Sequence, residues 1–156
     1  MNTTLLVALP FFAAALAAAA SGAVFQINGA WYQGLAAPSF RPPAWLFGPV
    51  WTVLYILIAA AGTRLALRAD GSLLAGACLG LWALQMVLNA LWTPVFFGAH
   101  DLRAALVVIV ALLAVIAVLA VLAWRIDRAA ALMLLPYLGW VGFATVLNAA
   151  YWWLNR

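Results

Sequence analysis

The chain has 156 residues, of which 71% are hydrophobic and 6% charged; its mean hydropathy is +1.17. A soluble domain carries about 25% charged residues, so this chain cannot cover a water-facing surface: it is a single domain over 1–156 whose solvent is lipid. The net charge of +4 comes from seven arginines and three aspartates, and the arginines stand scattered at segment ends with no basic patch, which excludes nucleic acid as a partner.

A bilayer core of about 30 Å takes about 20 apolar residues in a helix, and five runs meet that length. The first covers 4–25. No lysine or arginine precedes it, as a cleaved leader would require, so it reads as a retained first span. A long, irregular segment follows over 26–43, rich in aromatic residues and proline, and long enough to fold over one mouth of a bundle. The second span covers 44–67, the third 73–97, the fourth 103–124 and the fifth 129–153. The connections at 68–72, 98–102 and 125–128 are short, so consecutive helices should be antiparallel neighbours. The expected fold is an all-α integral membrane bundle of five transmembrane helices, with the long loop between helices 1 and 2 capping a pocket.

Five spans put the termini on opposite sides of the membrane. Arg64, Arg68, Arg125 and Arg128 fall on the N-terminal side, and Arg41, Arg103 and Arg156 on the other. Four against three is too small a bias to set the orientation. Every charged residue lies between the runs or at their ends, and none in the interior of a span. Proton-coupled transport keeps ionisable groups there, so its absence argues against that class. It also removes paired carboxylates for acid–base catalysis and any His/Asp metal cluster: no catalytic residue, no metal ligand and no required cofactor is expected. His100, in a loop, reads as solvated, and the lone Cys78 as a small buried hydrophobe.

What remains is aromatic surface and amide. Gln85, Asn89, Trp92 and Phe96 follow one helix face in the third span, Trp140, Ala144, Asn148 and Trp152 another in the fifth, and Trp51 and Tyr55 lie one turn apart in the second. Three such stripes are expected to converge on one cavity. Asn89 and Asn148 have two readings there, hydrogen-bonding between helices or contact with a ligand. Tryptophan offers a flat face and an N–H handle, which suits a planar apolar ligand such as a tetrapyrrole or a sterol, with Arg41 positioned to pair with a ligand carboxylate. The fourth span, without a polar residue between Arg103 and Trp124, is expected to face lipid over much of its surface. Gly76 and Gly80 form a GxxxG, a helix-contact signal that reads either as a dimer face or as close packing within the chain. Leu147, Tyr151 and Arg156 fit a proposed cholesterol pattern.

Four blocks in order then resemble the translocator protein / peripheral benzodiazepine receptor family, whose bacterial members are the tryptophan-rich sensory proteins (TspO/MBR). They are Trp31-Tyr32-x2-Leu35-x2-Pro38 with Pro42-Pro43; Phe47-x-Pro49-x-Trp51-x3-Tyr55; Leu88-Asn89-x2-Trp92-x3-Phe96-Phe97; and Pro136-Tyr137-x2-Trp140-x2-Phe143-Ala144-Thr145-x-Leu147-Asn148. The resemblance implies a five-helix bundle, usually a homodimer, in a membrane of a bacterial envelope, with a pocket under the first loop that takes porphyrins (protoporphyrin, haem-type tetrapyrroles), cholesterol and synthetic benzodiazepine-type ligands. Carried onto this sequence, the pocket residues are Trp31, Tyr32, Pro42, Trp51, Asn89, Trp140 and Ala144, joined by Asn148 on the same face, and Gly76 and Gly80 match the dimer pair. The implied role is that of a receptor or translocator that senses tetrapyrroles. The alternative is a porphyrin-degrading membrane enzyme working by tryptophan-centred photo-oxidation. Two departures stand out. Ala149 occupies the place of an aromatic in the family's sterol motif, and Ala36-Ala37 replace basic residues common in the loop.

Overall fold

The computed structural model describes residues 2–25 and 29–156, so Gln26, Ile27 and Asn28 of the first loop lie outside the described residues. Five long helices span the membrane, each within four residues of its expected bounds. Helix α1 (Thr3–Val24) starts where the Asn2 side chain accepts the Thr4 amide. A one-turn helix, α2 (Ala30–Gly34), lies inside the loop, and a 3₁₀ turn (Ala44–Leu46) leads into α3 (Phe47–Leu67). Helices α4 (Leu73–Thr93), α5 (Leu102–Ala123) and α6 (Arg128–Leu154) are N-capped by Ser72, Asp101 and Asp127, whose side-chain oxygens accept the first free amides. The third expected span ends early as an α-helix. Pro94 has no N–H to continue the ladder, and the chain widens into a π turn over Pro94–Gly98.

The helices pack as a ring in the order α1, α3, α6, α5, α4, with α4 closing back onto α1. Helix α5 is wedged between α4 and α6, so only one of its faces meets lipid. Ile109, Leu112, Ile116 and Leu119 are buried in the core, whereas Val107, Val110, Val118 and Val121 are exposed. Helices α1, α3 and α4 come together at Gly62. The Trp82 indole lies along α3 there, donating to the Ile58 carbonyl at 2.9 Å, with the Phe11 ring edge-on to it at 4.7 Å.

Gly76 and Gly80 do not serve packing within the chain. A Cβ at either position would meet nothing within 4 Å, so this pair faces outward from the bundle.

At the end of the bundle opposite the first loop, Arg64 lies in the last turn of α3, at a span end as expected. Its guanidinium donates to both Asp127 oxygens, at 3.2 and 2.9 Å, and Arg68 approaches the same carboxylate at 3.6 Å. Burial works to raise the Asp127 carboxyl, but the Ala130 amide and the two guanidinium groups outweigh it and hold it below the usual range. A depressed carboxylate stabilises the fold above its unfolded value, about 3.9, and that stabilisation is lost as pH falls through the lower native value. The thermal midpoint should therefore hold from neutral pH down to about pH 4 and drop below it. Asp127→Asn should show a shallower drop in the same titration; equal slopes would remove Asp127 as the group responsible.

Candidate functional site

A cavity of about 920 Å³ opens between the loop-side ends of the helices. Its walls come from the three aromatic stripes. Helix α3 supplies Phe47, Trp51 and Tyr55; α4 supplies Asn89 and Trp92; α6 supplies Trp140, Ala144 and Asn148. Tyr32, Arg41 and Pro42 of the loop complete the lining, and α1 closes one flank with Phe12 and Leu16. Arg41 is the one charged side chain on this wall among the described residues.

The rings are locked at angles by their neighbours. Trp51 tilts over Tyr55 at 5.3 Å and meets Tyr137 edge-on at 6.3 Å. Phe47 meets Trp140 edge-on at 5.7 Å, and Trp92 lies against Phe96 at 5.0 Å. Such offset and edge contacts are the favoured arrangements of aromatic pairs.

Both asparagines cross-link helices. The Tyr55 hydroxyl donates to Asn89 Oδ1 at 2.8 Å, Asn89 Nδ2 donates to the Tyr137 hydroxyl at 2.8 Å, and that hydroxyl donates to Gln85 Oε1 at 3.0 Å. This chain of bonds ties α3, α4 and α6 beneath the cavity. Nearer the loop, Trp92 Nε1 donates to Asn148 Oδ1 at 3.0 Å while Asn148 Nδ2 donates to the Leu102 carbonyl at 2.9 Å. Of the two sequence readings, hydrogen bonding between helices describes these amides, although both also border the cavity. The buried indole N–H of Trp140 has no hydrogen-bond partner among the described residues.

The loop is pinned over the mouth. The Asn155 side chain pairs with the backbone of Ala36, accepting its amide at 2.9 Å and donating to its carbonyl at 3.0 Å. The Tyr151 hydroxyl donates to that of Tyr32 at 3.0 Å. Burial and this bond both push the Tyr32 hydroxyl up. The Arg41 guanidinium interacts with the Tyr151 hydroxyl and sits 6.0 Å from the Tyr32 ring.

The structure thus brings together Tyr32, Pro42, Trp51, Asn89, Trp140, Ala144 and Asn148. Trp31 departs from expectation. It is not part of the cavity lining, because its one-turn helix turns it toward the π turn, where it stacks on His100 at 4.0 Å and meets Phe96 edge-on. His100 is accordingly a stacking partner as well as an exposed loop residue, with a positive φ of 58°. The sterol pattern is split. Leu147 and Tyr151 are buried and border the cavity, whereas Arg156 is exposed and lies 3.2 Å over the Trp153 ring. Sequence reasoning missed the parts of Tyr137 and Asn155. Tyr137 lies one turn before Trp140, so extending the α6 stripe backward would have found it; Asn155, beyond the last periodic residue, carries no such signal.

A family model described as TspO/MBR matches residues 6–154. The chain belongs to the TspO/MBR family. Protein CrtK of Rhodobacter capsulatus is 41% identical over 145 residues, covering 93% of this chain and 90% of the relative. The tryptophan-rich sensory protein of Cereibacter sphaeroides is 37% identical over 148 residues, covering 95% and 90%. The human translocator protein is 39% identical over 124 residues, covering 78% and 73%. This TspO/MBR chain is an integral membrane protein with the five-helix architecture that the sequence implies, and its relatives carry the names of sensory and translocator proteins.

Proposed function

We propose that this TspO/MBR protein is a membrane receptor that binds a porphyrin-class tetrapyrrole in the aromatic cavity and reports its presence. The observation that carries the reading is the cavity itself: about 920 Å³, walled by tryptophan and tyrosine, with a single charged side chain at its mouth. That volume lies near the top of the range of about 300–1,000 Å³ that small-molecule sites occupy, and so suits a large flat ring. With Asn89 and Asn148 committed to neighbouring helices, the ligand is held by stacking and shape, with a peripheral carboxylate meeting Arg41. A sterol is the weaker fit, because Leu147, Tyr151 and Arg156 do not share one surface. The test is a protoporphyrin titration followed in the ligand's visible absorption. Trp140→Ala and Trp51→Ala should each weaken binding about tenfold, the loss of roughly 1.4 kcal/mol of stacking and burial. Saturable binding unchanged in both variants would overturn the assignment.

A second copy of the chain is the proposed protein partner, seated on the outward Gly76/Gly80 face, where small residues let helix backbones approach closely. Gly80→Leu should shift detergent-solubilised protein from dimer to monomer in size-exclusion chromatography with light scattering. An unshifted dimer would place the interface elsewhere.

A further inference from the structure

We propose that the end of the bundle opposite the first loop carries a binding site for a phosphate group, presented by the headgroup of an anionic membrane lipid. In the sequence the four arginines stand apart, Arg64 and Arg68 around the end of the second span and Arg125 and Arg128 in the connection between the fourth and fifth. The fold gathers Arg64 and Arg68, one turn apart on α3, with Arg125 and Arg128 of the α5–α6 turn around one open cleft of about 680 Å³. The expectation that the arginines form no patch therefore holds along the chain and fails in space.

The charge in this cleft is unbalanced. Asp127 is its one carboxylate, already held by Arg64 through two bonds and approached by Arg68. Four guanidinium groups against one carboxylate leave three positive charges in excess. Among the described residues, Arg125 and Arg128 have no carboxylate within ion-pair distance. Arg128 lies 5.7 Å over the Trp124 ring, which constrains it without neutralising it. Asp127 is 4% exposed and anchors Arg64 in place, so part of the cluster is preorganised. Like charges held close are stabilised by an anion between them, and the guanidinium fork matches phosphate oxygens in geometry as well as charge.

The position points to a lipid as the source of that phosphate. The cleft lies where α3 and α5 end and α6 begins, at the boundary of hydrocarbon and water, with Trp124 half exposed as an interfacial ring would be. One turn deeper on the helices that carry Trp124 and Arg128, Val121 and Leu132 are exposed at 66% and 52%. The surface thus runs from basic to apolar in the order of a phospholipid's own headgroup and chains. Basic pockets between helices at this depth are the usual form of a headgroup site.

The test uses full-length protein in nanodiscs of phosphatidylcholine alone and of phosphatidylcholine with phosphatidylglycerol. The expected result is a higher thermal midpoint with phosphatidylglycerol, and phosphatidylglycerol adducts retained in native mass spectrometry. Arg125 is exposed and unpaired, so Arg125→Gln should leave the midpoint in phosphatidylcholine unchanged while weakening phosphatidylglycerol retention about fivefold or more, given roughly 1 kcal/mol for each arginine near a charged surface. Arg103→Gln, at the other end of the bundle, should retain the lipid as the unsubstituted chain does. Equal retention in the Arg125 variant would overturn the site, and equal loss in both variants would reduce it to general surface charge. Inorganic phosphate at millimolar concentration, added to the phosphatidylcholine discs, separates the two sources. Stabilisation by phosphate alone, with none further from phosphatidylglycerol, would overturn the lipid assignment.

Discussion

Tyr137→Phe destabilises the bundle by about 2–4 kcal/mol in reversible denaturation from detergent, more than one hydrogen bond between membrane helices is worth. Removing one such bond costs on average about 0.6 kcal/mol and at most about 1.7. This substitution does more than delete a bond. The hydroxyl accepts from Asn89 and donates to Gln85, and both are buried, so its loss strands a buried donor and a buried acceptor. Each such orphan costs about 1–3 kcal/mol. Gln85 fares worst: its Nε2 has no partner among the described residues, so the variant leaves the whole amide unsatisfied. A second substitution separates this account from simple packing loss. Tyr137→Phe combined with Gln85→Leu removes one of the stranded groups, and should recover about 1 kcal/mol or more. A double variant as unstable as the two single effects added together would show that the network is not what holds the helices. Under the proposed function, porphyrin affinity should fall along with stability in the single variant, because Asn89 then anchors Tyr55, and through it Trp51, less firmly.

Gly62→Val is the second large effect, and its cause is the reverse: too much matter, not too little. A Cβ at this position would fall 2.6 Å from the Trp82 indole and against the Phe11 ring. Neither neighbour can retreat cheaply, since Trp82 is bonded to the Ile58 carbonyl and Phe11 packs edge-on against it. Overpacking of this kind costs about 1–3 kcal/mol, and any shift that breaks the indole bond adds to it. Gly62→Ala should be destabilised in the same direction and by less. Gly139→Ala on α6, where a Cβ meets nothing within 4 Å, should be neutral or slightly stabilising, because alanine is the better helix former. Similar midpoints for Gly62→Val and Gly139→Ala in thermal denaturation would refute the close approach of α1, α3 and α4.

The aromatic stripes show how far one sequence reaches. Trp51 and Tyr55, Asn89 and Trp92, and Trp140, Ala144 and Asn148 are legible because a helix repeats its face every three to four residues. Once each span is a helix, each stripe is a surface. Trp31 fails for the complementary reason. It stands in a short loop helix whose direction no periodicity records, and only its contacts with His100 and Phe96 show that it props the loop outside the cavity. The two readings left open for Asn89 and Asn148 needed neighbours to choose between them, since an amide's role is set by what lies across from it.

The amino-acid sequence by itself determined the solvent, the number and approximate bounds of the membrane spans, and the faces that carry aromatic rings. All of these follow from local hydropathy and helical period. The tertiary structure alone decided which faces meet. The ring order α1, α3, α6, α5, α4 sets Asn89 against Tyr137, turns Gly76 and Gly80 outward, and draws four arginines from two separate stretches of the chain around one aspartate. These are relations between residues far apart in the chain, and they depend on how close-packed side chains of different helices interlock, which hydropathy and period do not encode.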